Sequence, residues 1–145
     1  MPTQDFKGTI NGNTITAGTG TVTIAAGKTL SYDEGTWTPV FTPSAGAITA
    51  WGTITGIWSK IGRIVTITFS ATITTNGTAA GYFLLSGMTH NPPTGATGMG
   101  QEIGVSGKPL KLRQYSATQF IVSTYDGLYP GGDGAILAGT IIYEV

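Results

Sequence analysis

The sequence predicts an all-β protein, an antiparallel β-sandwich (jelly-roll-like) preceded by a short β-stranded oligomerising stem. Three observations predict it. From Val65 to Thr74 the odd positions Val65, Ile67, Phe69, Ala71 and Ile73 are apolar and the even positions carry hydroxyls, a period of two that gives a strand one buried and one wet face. β-Branched residues fill most of that run, and they lose χ1 freedom in a helix. Glycine and threonine together make up a third of the 145 residues while charged residues make up only 10%, a profile of short strands and turns.

Composition also removes partners and chemistries. The formal net charge is zero, so no basic field is available to hold a phosphate backbone, and nucleic acid is not an expected partner. There is no cysteine, which excludes disulfides and thiolate metal sites. No apolar run approaches the roughly 20 residues of a bilayer span, so membrane insertion is not expected. The start MPTQDFKG has no apolar signal core.

In chain order, residues 1–31 are expected to form the stem and residues 32–145 the sandwich. Thr14-Ile15-Thr16-Ala17-Gly18 is echoed nine residues later by Thr23-Ile24-Ala25-Ala26-Gly27. Each copy offers too few apolar side chains to bury by itself, so Ile15, Val22, Ile24 and Leu30 are candidates for burial between chains, with an ordinary edge hairpin as the alternative. Gly27-Lys28-Thr29 would end a phosphate-binding loop only if a glycine stood at position 22, where the chain has Val22.

Within the sandwich, Thr36 to Phe41 places Trp37 and Phe41 on one side with Pro39 between them, and Pro39, which lacks a ladder donor, marks an edge or a strand end. Ile48 to Thr55 alternates less cleanly, and Gly52 and Gly56 predict bulges beside Trp51. Gly62 precedes the Val65–Thr74 strand, and Asn76-Gly77 after it is a preferred two-residue hairpin pair. Tyr82 to Ser86, Gln101 to Val105, Leu110 to Tyr115, Gln119 to Tyr125 and Ala135 to Tyr143 complete seven to nine strands, the density of a sandwich or small barrel. Local pattern leaves their order in the sheet open.

Four stretches in this order, YDEGTWTPVF at 32–41, W-x-K-I-G-R-x-V-x-I-x-F at 58–69, Phe83-Leu84-Leu85-Ser86-Gly87-Met88, and the apolar strand Gly139 to Tyr143, make residues 32–145 resemble the C-terminal module of bacteriophage tailspikes and tail fibres. The stem also resembles the β-stranded shafts that precede such modules. The resemblance implies a homotrimer at the distal end of a virion fibre, made in the bacterial host cytoplasm and attaching to bacterial surface polysaccharide. It implies no catalytic residues, because tailspikes that cleave glycan keep their active sites in a separate upstream β-helix.

The side chains themselves offer little catalytic chemistry. His90 is the single histidine, too few for a metal triad or a Ser/His/Asp arrangement, and is expected to hydrogen-bond backbone within its loop. Asp33, Glu34, Glu102, Asp126 and Asp133 could supply a glycosidase carboxylate pair, but glycine neighbours favour turn roles. Asp126 and Asp133 could instead meet calcium, although the twelve-residue loop signature is missing and Asx-turns account for both. No cofactor and no metal site are expected.

The richest loop is Tyr125 to Gly134. Its Tyr125 and Tyr129 offer flat faces for the C–H surface of a sugar, and its Asp126 and Asp133 offer acceptors for hydroxyls, with packing on a trimer neighbour as the other role. Trp51 and Trp58 are expected in the core. Lys108, Lys111 and Arg113 form a small cationic cluster in which positions 111 and 113 share a strand face. Three function classes follow: a receptor-binding, trimerising tip; a purely structural module that registers three chains; and a small glycan-active enzyme, which sparse titratable residues argue against.

Overall fold

The computed structural model describes residues 31–145 together with two short strands before them. The chain divides into two units, Met1–Leu30 and Ser31–Val145. In the first, β1 (Thr9–Ile10) pairs antiparallel with β2 (Asn13–Thr14). The candidate oligomerising residues Ile15, Val22, Ile24 and Leu30 lie outside the described residues.

The second unit is an all-β antiparallel sandwich. Its strands are β3 (Tyr32–Trp37), β4 (Val40–Ala45), β5 (Ala50–Ile61), β6 (Ile64–Thr75), β7 (Ala80–Ser86), β8 (Thr97–Glu102), β9 (Pro109–Ser116), β10 (Gln119–Thr124) and β11 (Ile136–Glu144). They form one sheet in the order β3-β5-β6-β11-β8-β9-β10-β7-β4. The two outermost strands, β3 and β4, are joined in the chain by only Thr38 and Pro39, so the sheet has to curl until its ends meet. Phe41 of β4 then lies 5.5 Å from Phe69 of β6, six strand positions away along the sheet. That contact joins the two layers of the sandwich.

Strand β6 sets the core. Val65, Ile67, Ala71 and Ile73 are fully buried and Phe69 is 5% exposed, whereas the hydroxylated positions between them stay half-exposed. From the opposite layer Phe83, Leu85, Leu112, Phe120 and Val122 close over this face. Burying a side chain of this size contributes about 1.5–3 kcal/mol, so the inward residues of the alternating run are a main support of the core. Trp51 and Trp58 are half-buried and pack against the same core, and the β5–β6 ladder shifts register on either side of Trp51, as Gly52 predicts; at Gly56 the register is regular and the expected bulge is absent.

Glycine inside the strands has a packing reason. In one cross-strand row Trp37 faces Gly56, Gly56 faces Phe69, Phe69 faces Gly139 and Gly139 faces Gly100. A Cβ on Gly56 would sit 2.4 Å from the Trp37 indole nitrogen, and one on Gly139 would sit 2.7 Å from the Phe69 ring. Each large ring lies over the bare backbone of its neighbour. The same crowding puts Gly98 and Gly100 in β8, where Cβ atoms would meet the backbone of β11. Thus β8 spans Thr97–Glu102, starting four residues before the expected Gln101, because glycine reads as loop in a sequence while close strand packing demands it.

Two other expectations change. Asn76-Gly77 does not close a two-residue hairpin: β6 already has β5 and β11 on its two sides, so the chain crosses from Thr75 to β7 in the opposite layer. Gly77 does take the expected positive φ, 63°. The tight hairpin lies at the other end of β6, where Ile61 faces Ile64 across Gly62-Arg63. Trp37 and Phe41 are both buried but belong to different strands, and Pro39 stands between the two edges, as its missing donor requires.

Candidate functional site

Connections β4–β5, β6–β7, β8–β9 and β10–β11 meet at one end of the sandwich through a chain of hydrogen bonds. Ala47 and Thr78 pair through their backbones and through the Thr78 hydroxyl. Asn76 is gripped twice from the β10–β11 loop: the Tyr129 hydroxyl donates to Asn76 Oδ1 at 2.6 Å, and the Asn76 N–H donates to Asp133 Oδ1 at 2.6 Å. The Gly134 N–H donates to the Ile73 carbonyl, and the Ile103 N–H to that of Ile136.

The four candidate glycan-contacting residues therefore divide. Tyr129 is turned inward, its ring 5.1 Å from that of Phe83, and burial pushes its hydroxyl up to about 12. Asp133 is exposed but anchors the Asn76 turn across the chain, a long-range contact in place of the expected Asx-turn. Tyr125 is 63% exposed and projects beside Leu128, 58% exposed. Asp126 accepts from the Thr124 hydroxyl at 2.5 Å and from the Lys108 ammonium at 2.9 Å, and these two contacts hold its carboxyl down at about 2. The hydroxyl of Thr124 in turn accepts from the Leu128 N–H, which fixes the turn that presents Tyr125 and Leu128. Tyr125 and Asp126 thus share an exposed surface, while Tyr129 and Asp133 form its frame.

Glu102 is the best-satisfied carboxylate at this end. It is 1% exposed. Its Oε1 accepts from the N–H groups of Gly104 at 2.6 Å, Val105 at 2.9 Å and Ile136 at 3.2 Å, and its Oε2 from the Ser106 N–H and hydroxyl. Burial alone would push the carboxyl upward, but the bonds from Ser106, Val105 and Gly104 outweigh it and hold the group at about 2. Every lone pair is engaged in shaping the 103–107 turn, a structural use of the residue. A glutamate ending a glycine-rich strand before Gly104-Val105-Ser106 is the one sequence signal for it.

At the opposite end, His90 departs from expectation. Its ring packs edge-on against Trp58 with centroids 4.6 Å apart, and its Nδ1 is buried without a hydrogen-bond partner among the described residues. The backbone of the same residue is used instead, since the Tyr143 hydroxyl donates to the His90 carbonyl at 2.5 Å. Among the described residues no three His, Asp or Glu side chains cluster as metal ligands. Lys108, Lys111 and Arg113 separate as well: Lys108 joins Asp126, while Lys111 and Arg113 stand on the outer face of β9. No family model matches the chain, and no curated protein or solved structure matches it.

Proposed function

We propose that this chain is the non-catalytic C-terminal tip of a phage tailspike or tail fibre, a homotrimer that attaches the virion tail to bacterial surface glycan. The observation that carries the receptor role is the exposed Tyr125 beside the Lys108–Asp126 ion pair, on a turn locked by Thr124. An aromatic face next to fixed donors and acceptors suits a sugar ring, whose C–H surface stacks while its hydroxyls hydrogen-bond. The preformed turn also lowers the entropy cost of binding. The sequence resemblance over residues 32–145 and the β-sandwich architecture support the same reading.

A second reading, a structural module that registers three chains and touches no receptor, is favoured by the inward commitment of Tyr129 and Asp133 in the same loop. Adsorption to host cells and binding on a glycan array decide between them. Wild-type protein is expected to bind and Tyr125→Ala to lose most of that binding with an unchanged melting temperature. No binding by the wild type leaves the structural module as the reading, and equal binding by both proteins removes Tyr125 from the receptor surface.

A further inference from the structure

The outward face of the β3-β5-β6-β11-β8-β9 run is graded in charge and apolar at its middle. One cross-strand row reads Thr36, Ile57, Thr68, Thr140, Met99, Lys111. In the adjacent row Glu34 faces Ser59, Ser59 faces Thr66, and Thr66 faces Ile142. Ile57 is 59% exposed, Ile142 58% and Met99 76%, with Thr36, Thr66, Thr68 and Thr140 around them, and towards the Gly62 turn the same face also exposes Tyr32, Ile61 and Ile64. Between Met99 and Ile142 runs a groove floored by Gly98, Ala138 and Gly139, whose missing or small side chains make it.

Charge occupies the two margins with opposite sign. Glu34 lies on β3, where it accepts a hydrogen bond from the Tyr32 hydroxyl; Lys111 and Arg113 lie on β9. The ion pairs among the described residues are Arg63–Glu144 and Lys108–Asp126, which leaves these three charges without an opposite partner there. Glu34 and Lys111 are separated by five strand spacings, about 24 Å along the sheet at about 4.8 Å each, and cannot meet within one chain.

We infer that this face is the contact between copies of the chain: Ile57 of one copy seats in the groove between Met99 and Ile142 of the next, with Glu34 against the next copy's Lys111 and Arg113. The occupant is a second copy because a face with an apolar projection and acid at one margin, and a groove and base at the other, complements itself head to tail. A contact between two different patches of one surface is the heterologous kind; it gives a ring, such as a trimer, where the rotation closes and an open filament where it does not. Opposite charges at the margins set direction and register, and the apolar centre contributes the burial. The inference rests on the trimer reading above and names the surface that forms it.

The test uses the full chain. Light scattering at micromolar concentration first gives the wild-type mass, expected to be that of three chains. Zero-length carbodiimide coupling followed by peptide mass spectrometry is then expected to join Glu34 to Lys111, a bond that only two chains can supply. Glu34→Lys and the pair Lys111→Glu with Arg113→Glu should each abolish assembly or reduce it at least tenfold in concentration dependence, and the three changes together should restore it. Circular dichroism of each variant checks folding, and these exposed positions should leave it unchanged. A three-chain mass that yields no Glu34–Lys111 link and persists in the reversed-charge variants overturns the face and leaves the trimer standing. A single-chain wild type overturns both.

Discussion

In strand β6 the pleat decides which side chains go inward; in the β10–β11 loop, individual contacts decide. Phe69 is buried and Thr68 half-exposed because successive residues of a strand point to opposite faces, and both neighbours of β6 enforce the same register. Tyr125 and Tyr129 have no such period between them. One turns in because Phe83 offers a ring and Asn76 an acceptor, and the other stays out because the Thr124 turn points it to solvent. The strand is stabilised collectively, so its residues share one fate on each face. The loop holds its shape through a few separable bonds, and each residue can be removed from its role singly.

The largest expected effect tests the strand. Phe69→Ala should cost about 3–5 kcal/mol, since it removes a ring that meets Phe41 and covers Gly139, whereas Thr68→Ala should stay within about 0.5 kcal/mol. Urea unfolding monitored by tryptophan fluorescence measures both. Equal shifts would mean that the pleat does not rule β6.

Next comes Glu102, where contacts decide in a turn. Its folded carboxyl lies at about 2 against an ordinary 4.5, so its stabilisation is full above about pH 5 and is lost as pH falls towards 2. Integrated over that shift the loss is about 3 kcal/mol. Glu102→Gln should lower stability at neutral pH and flatten the acid limb of the profile, read by thermal melting between about pH 2 and 7. Asp126 is held down in the same direction, so some acid sensitivity should persist in the variant.

The smallest stability effects separate the two tyrosines. Tyr129→Ala should lower stability by about 2 kcal/mol, because it opens space beside Phe83 and frees Asn76. Tyr125→Ala should leave melting within about 0.5 kcal/mol of wild type and show itself only in adsorption to cells. A Tyr125 variant that melts early, or a Tyr129 variant that does not, would reverse the assignment of frame and exposed surface within this loop.

Much of the architecture was legible in the chain because strand signals are local. Alternation from Val65 to Ile73 named the buried face residue by residue, Pro39 marked the break between two edges, and Gly52 announced the irregular start of β5, whereas Gly56 keeps regular register and serves the Trp37 ring. β8 was displaced because Gly98 and Gly100 answer to the backbone of β11, which no local window contains. The Asn76-Gly77 turn had the right backbone and the wrong destination, since φ is a property of the residue while the partner of β7 is a property of the sheet. Among the candidate site residues, type and spacing could not give the division between inward and exposed side chains within the loop. Tyr129 and Tyr125 differ in fate through residues 83, 76 and 124, two of which lie more than forty positions away.

What the sequence determined alone was therefore periodic or local: an all-β chain, the inward set of β6, the break at Pro39 and the positive φ of Gly77. What the tertiary structure decided was non-local. It set the strand order, the meeting of β3 and β4, the burial of Glu102 under five donors, and the graded outer face that places Glu34 and Lys111 on opposite margins. The physical reason is range: backbone preference and side-chain alternation act within a few residues, whereas pairing, burial and charge arrangement depend on which distant segments the fold brings together.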